Sequence, residues 1–193
     1  MPLPRAAYGS EAARLPLERE SSGPYDNARA ADNSTDPHDT AASLAAAGRI
    51  AGYQLSFADL ASVGKAGKLV GVASRLAVYR TAVAASAGLR REFDDARASD
   101  PANGFRVLSS TRFAAPGLGD EAAGIRVLAK AGLAKLWFTA VGVRSGKLIE
   151  LVGLIRTDGR SEQPHALLLA HALAARVEGV LAGTITTPPA KFP

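Results

Sequence analysis

The chain has 193 residues, 47% hydrophobic and 6% aromatic, with a formal net charge of +5 and no cysteine. That length suits one globular domain with a tail, and the missing cysteine excludes disulfides, thiol nucleophiles and cysteine-ligated zinc. The basic residues are scattered; even the densest pair, Arg90-Arg91, is followed by Glu92, Asp94 and Asp95, which argues against nucleic-acid binding.

Residues 1–37 are rich in Ala, Arg, Ser, Asp and Pro and hold few large apolar side chains. Such a stretch buries too little surface to offset its ordering entropy, so it reads as a disordered leader or tether. The N-terminus shows no apolar segment of a signal peptide, and no apolar run approaches the roughly 18–20 residues of a membrane span. Read literally, these features keep the chain in the cytoplasm.

A single domain is expected over residues 38–185. "DTAASLAAAG" reads as a short helix opened by Asp39 or Thr40 and closed by Gly48. "RIAGYQLSFAD" nearly alternates and predicts a strand. In "KLVGVASRLAVYR", Val70, Val72, Leu76 and Val78 share one face of a long strand, and Arg75, Ala77 and Tyr79 the other. Thr81 caps a helix running to about Arg97, with Ala82, Ala85, Leu89, Phe93 and Ala96 on one stripe. Four strand candidates follow: "FRVLSSTRFAAPG", "GIRVLAKAG", "AKLWFTAVGVR" and "GKLIELVGLIRTDG", the last two joined by a tight turn within Arg144-Ser145-Gly146-Lys147. Glu150 is the one acid in its strongly apolar strand; an exposed sheet face accommodates it most simply, with Arg144 or Lys147 across the hairpin.

"SEQPHALLLAHALAARVEGVLAG" predicts the last helix, with Pro164 in its first turn and Gly183 at its end. Leu167, Ala170, Ala174, Val177 and Leu181 form the expected inward stripe. Leu168, Leu169, Leu173 and Val180 then remain outside it, and so much apolar surface predicts a homodimer or a docked partner on this helix. Residues 186–193 read as a flexible tail. Strands joined by hairpins and interrupted by few helices give an α+β class: a mainly antiparallel sheet packed against helices.

"PGLGDEAAGIRV", residues 116–127, has the G-x-G-x-x-[G/A] spacing of a dinucleotide loop in Gly117, Gly119 and Ala122. A dinucleotide site needs a helix opening on those glycines, its N-terminus facing the pyrophosphate. Here Asp120 and Glu121 stand where phosphate would approach, and strand residues follow. The stretch therefore reads as a glycine-permitted bend, with Asp120 bonding nearby amides, and no cofactor is expected. His165 and His171 are six apart, the wrong spacing for an i, i+4 metal pair, and His38 lies in the leader. No catalytic constellation stands out.

The same stretch, "GLGDEAAGIRV", followed by "LWFTAVGVRSGKLIELVGLIRT", resembles exported sensor-like or lipoprotein domains of high-GC Gram-positive bacteria, of the PsbP and PknH-sensor class of α+β sandwiches. The resemblance covers roughly residues 40–183. It implies a non-catalytic, extracytoplasmic domain tethered to lipid or membrane. The chain departs from that pattern in lacking the lipid-bearing cysteine, a signal segment and the cysteine pairs of the kinase-sensor relatives.

Two functional expectations follow. One is a non-catalytic binding or sensor-like domain with an unidentified ligand or protein partner. The other is a carrier or small enzyme using an apolar cavity between sheet and helices. Phe57, Trp137 and Phe138 would line that cavity, and Arg75 or Arg126 would anchor an anionic group. Leu169 and Leu173 would belong to the partner surface.

Overall fold

The computed structural model describes residues 2–59, 61, 63, 68–99 and 104–185, so the expected tail at 186–193 lies outside the described residues. Among the described residues the chain forms seven strands and four α-helices, with two short 3₁₀ turns at Arg5–Tyr8 and Ala12–Arg14. In chain order the elements are β1 (Gly23–Pro24), α1 (Asn27–Asp32), α2 (Ala41–Ala46), β2 (Arg49–Ala58), β3 (Leu69–Tyr79), α3 (Ala82–Asp95), β4 (Phe105–Ala114), β5 (Glu121–Ala131), β6 (Ala134–Ser145), β7 (Leu148–Arg156) and α4 (Gln163–Leu181). All seven strands join one sheet in the order β1-β2-β3-β7-β6-β5-β4, and every neighbouring pair is antiparallel. This is the α+β class the sequence predicts.

The alternation of β3 divides the sheet into two faces. Val72 and Leu76 join Val141, Val143, Val152 and Leu154 beneath α4. Ala77 and Tyr79 point the other way and join Ile125, Val127, Ile149 and Leu151 beneath Ala85, Leu89 and Phe93 of α3. Thr81 caps α3 by accepting a hydrogen bond from the Ala84 amide. Gly142 has no Cβ to meet Leu89 and Phe93, so α3 settles directly onto β6.

The N-terminal segment differs from the expected polar leader. Leu3, Tyr8, Ala12 and Leu15 are buried in the core shared with α4. The Leu3 amide donates to Ser74 Oγ at 2.8 Å, and Arg14 donates to the Leu69 carbonyl. A few well-placed apolar side chains thus pack where average composition indicates none should. Arg156 completes the anchorage. It donates to both carboxylate oxygens of Asp158 at 2.7 Å, to Glu11 at 2.7 Å and to Glu162 at 3.0 Å, tying the N-terminal segment to the start of α4.

Three further expectations are corrected. Leu169 and Leu173 do not lie on an outer face of α4. They are buried against this chain's own sheet with Ala166, Ala170 and Val177, and the exposed leucines of α4 are Leu168 and Leu181. The alanines permit a close approach to the sheet, which turns the inward stripe away from the predicted one. Glu150 is not on an exposed face: it is 2% exposed, on the α4 side of β7. The β6–β7 turn is centred on Gly146-Lys147, one residue later than Ser145-Gly146, since Ser145 pairs with Leu148. Gly146 there has φ +60°, the conformation that a two-residue turn with glycine first requires.

Candidate functional site

On the α3 side of the sheet, near the β1–β3 edge, lies a cleft of about 270 Å³. Its floor comes from β2 and β3. The alternation that buries Leu76 on the far face turns Arg75 and Tyr79 up into the cleft. One wall is the outer half of α3, with Arg91, Glu92 and Asp95. The other is the segment from Tyr25 through α1 to Asp39.

Two glycines make the floor possible. A Cβ on Gly52 would lie 2.6 Å from the Leu76 carbonyl oxygen and 2.7 Å from Arg49 Nη2, so only glycine lets the Arg49 side chain lie flat across β2. A Cβ on Gly88 would lie 2.4 Å from Tyr79 Oη, so α3 can approach β3 only with glycine there.

Tyr25 organises the cations. The guanidinium carbons of Arg75, Arg49 and Arg29 stand 4.9, 5.3 and 5.8 Å from its ring centroid, within cation–π range. Arg75 pairs with Glu92, and Arg91 pairs with Asp39 at 3.4 Å. Asp39 also accepts from the Ser34 hydroxyl at 2.7 Å, and Thr35 donates to Asp95 at 3.0 Å, fastening the α1–α2 wall to α3. Burial raises the pKa of Asp95, opposed by the Thr35 hydrogen bond. For Arg75, burial disfavours the charge, and the adjacent Glu92 together with Tyr25 and Tyr79 more than restores it.

Arg49 is different. It is 4% exposed, and its hydrogen bonds go to neutral groups: Asn27 Oδ1 at 2.8 Å and the Tyr25 carbonyl at 2.7 Å. Among the described residues no carboxylate is within ion-pair distance of it. Burial accordingly drives its pKa down. A buried guanidinium without a counter-charge is costly, and a bound anion would remove that cost.

Of the residues expected to form a site, Arg75 lines this cleft. The others are dispersed. Phe57 packs on the α4 face, edge-on to Tyr8, with the Arg5 guanidinium 5.0 Å from its centroid. Trp137 lies against Gly159, whose carbonyl accepts from Arg126 at 2.8 Å. Phe138 faces the α3 side, edge-on to Phe105 at 5.6 Å. Phe57, Trp137 and Phe138 therefore do not meet in one cavity. Arg49 and Tyr25 carried no signal in the sequence: Arg49 begins an ordinary strand, and Tyr25 sits in the apparent leader.

The glycine loop at 116–127 is structural. Gly117 and Gly119 have φ +74° and +50°, and a Cβ on Gly119 would lie 2.4 Å from the Arg144 carbonyl oxygen. The bend leads into β5. Asp120 accepts from the Gly146 amide at 2.7 Å and from Arg144 at 2.8 Å, so the loop clasps the β6–β7 turn. Among the described residues no three His, Asp or Glu side chains are grouped to hold a metal.

No family model matches the chain, and no curated protein matches it. The chain is similar to solved structures, among them two at low identity. One is the extracellular domain of PknH from Mycobacterium tuberculosis, at 11% identity and TM-score 0.46, over 92% of this chain and 98% of that one. The other is a protein of unknown function, PA94, from Pseudomonas aeruginosa, at 10% identity and TM-score 0.26, over 64% of this chain and 77% of that one.

Proposed function

We propose that this chain is a non-catalytic, sensor-like binding domain that holds a small anionic molecule in the cleft between α3 and the β1–β3 edge. Arg49 carries the reading: a buried guanidinium, on the cleft floor, satisfied among the described residues only by neutral acceptors. Arg75, paired with Glu92, stands beside it, and the Tyr25 ring lies within cation–π range of both. Guanidinium groups suit carboxylate and phosphate because their fork of donors matches two oxygens at once. A location outside the cytoplasm, implied by the sequence resemblance, belongs to the same proposal and is checked by fractionating cells that express the native reading frame.

The test is calorimetric titration of the full chain with inorganic phosphate, sulfate and citrate. At least one binds, and Arg49→Gln weakens it tenfold or more while circular dichroism shows the fold intact. Equal affinity in Arg49→Gln overturns the assignment of the cleft, and sustained turnover of a bound ligand overturns the non-catalytic reading.

A further inference from the structure

A second recess adjoins the cleft. Its volume is about 200 Å³, and Arg75, Glu92 and Ala96 line both spaces, so the two are neighbours with the Arg75–Glu92 pair at their boundary. The chemistry changes across that boundary. The first space is walled by charged side chains; the second is floored by Ala73, Gly153 and Ala140 and flanked by Phe93, Ile125 and Leu151.

The floor has a definite cause. Ala73 pairs with Gly153, and Gly153 with Ala140, so three small residues fall in one register row across β3, β7 and β6. The row on one side holds Leu151. The row on the other holds Ile155 and Phe138. Large residues on both flanks and small ones between leave a trough that crosses the strands. A Cβ added to Gly153 would meet nothing within 4 Å, so the space above it is open.

Resting on the anion-binding reading, we infer that the ligand is an amphipathic anion: its charged head lies against Arg49 and Arg75, and an unbranched apolar tail occupies the trough over Ala73, Gly153 and Ala140. Strands about 4.8 Å apart make the trough about 10 Å long. An extended chain covers about 3.5 Å in three bonds, so a tail of about eight carbons fills it. Longer tails emerge into solvent and gain little more.

The probes are straight-chain carboxylates from butyrate to dodecanoate, titrated into the full chain, with octanol as the uncharged control. Affinity rises about fourfold per methylene up to about eight carbons and then levels off. Gly153→Leu fills the trough and abolishes the dependence on length while butyrate binds as before; Ala140→Leu fills it from β6 and serves if the first variant does not fold. An affinity that stays flat with length, with butyrate and phosphate still bound, overturns the tail assignment alone. Octanol binding as tightly as octanoate overturns the anion reading and leaves an apolar trough. Octanoate binding unchanged in both filled variants places the tail elsewhere and sinks this inference.

Discussion

Glu150 shows how far one residue can depart from its sequence neighbourhood. Its side chain is buried on the α4 side of β7, and Oε2 has no hydrogen-bond partner among the described residues. Burial raises its pKa; a hydrogen bond from Ser145 opposes this, and Glu178 on α4 adds to it. The folded protein therefore holds this proton more tightly than the unfolded chain, whose glutamate titrates near 4.3. The contribution of Glu150 to stability is greatest below that value and falls as pH rises through the folded pKa. Glu150→Gln removes the charge and keeps the shape. It raises stability by about 1 kcal/mol at pH 7.5 and has little effect near pH 4, measured by urea denaturation at both values. Part of this was legible: a lone acid among Ile149, Leu151 and Val152 marked the position as unusual. Its burial was not, because a strand's alternation says which residues share a face and not which face is covered. Arg75 was legible for the complementary reason, as it opposes Val72 and Leu76 along β3.

The elements were easier to read than their contacts. Every strand from β2 to β7 appears where alternation predicts it, and Thr40 and Thr81 cap α2 and α3 through their hydroxyls. Strands and caps depend on local backbone geometry, which a few neighbouring residues determine. The direction of α4 was not local. With leucines at 167, 168, 169 and 173, helical spacing admits several inward stripes, and the sheet selects the one on which Ala166 and Ala170 allow close packing. The start of α4 depends on a long-range cluster instead. Arg156 is 3% exposed, and three carboxylates converge on it. Arg156→Met leaves these acids without their cation and costs about 3 kcal/mol, measured by denaturant unfolding at pH 7. The same contact holds Asp158 down to about 2. The folded value lies below the unfolded one, so the contribution of Asp158 is whole above about pH 4 and fades as pH falls toward 2. The variant and the parent chain therefore converge in stability in strong acid.

At the scale of the molecule, the N-terminal residues and the C-terminal helix close the same face of the sheet. Composition hid this, because Leu3, Tyr8, Ala12 and Leu15 are few among small and polar residues, and the two 3₁₀ turns are too short to carry an amphipathic pattern. Sheet order adds a consequence in time. β4 to β7 are consecutive in sequence and adjacent in space, so each pairs through a short connection. β3 must wait for β7, about 80 residues further on, as its register with Val152 and Leu154 shows. On the ribosome, the first half of the chain emerges with Val72 and Leu76 unprotected until β7 and α4 follow. Local pairing makes the β4–β7 meander the expected nucleus, with the N-terminal segment expected to dock last. Tyr8→Ala, a loss of about 3 kcal/mol, therefore falls on the unfolding limb of the chevron and leaves the folding limb nearly unmoved, as stopped-flow fluorescence of Trp137 would record. On this order the α4 face of the sheet goes without the cover of Leu3, Tyr8 and Leu15 until the rest of the fold is in place.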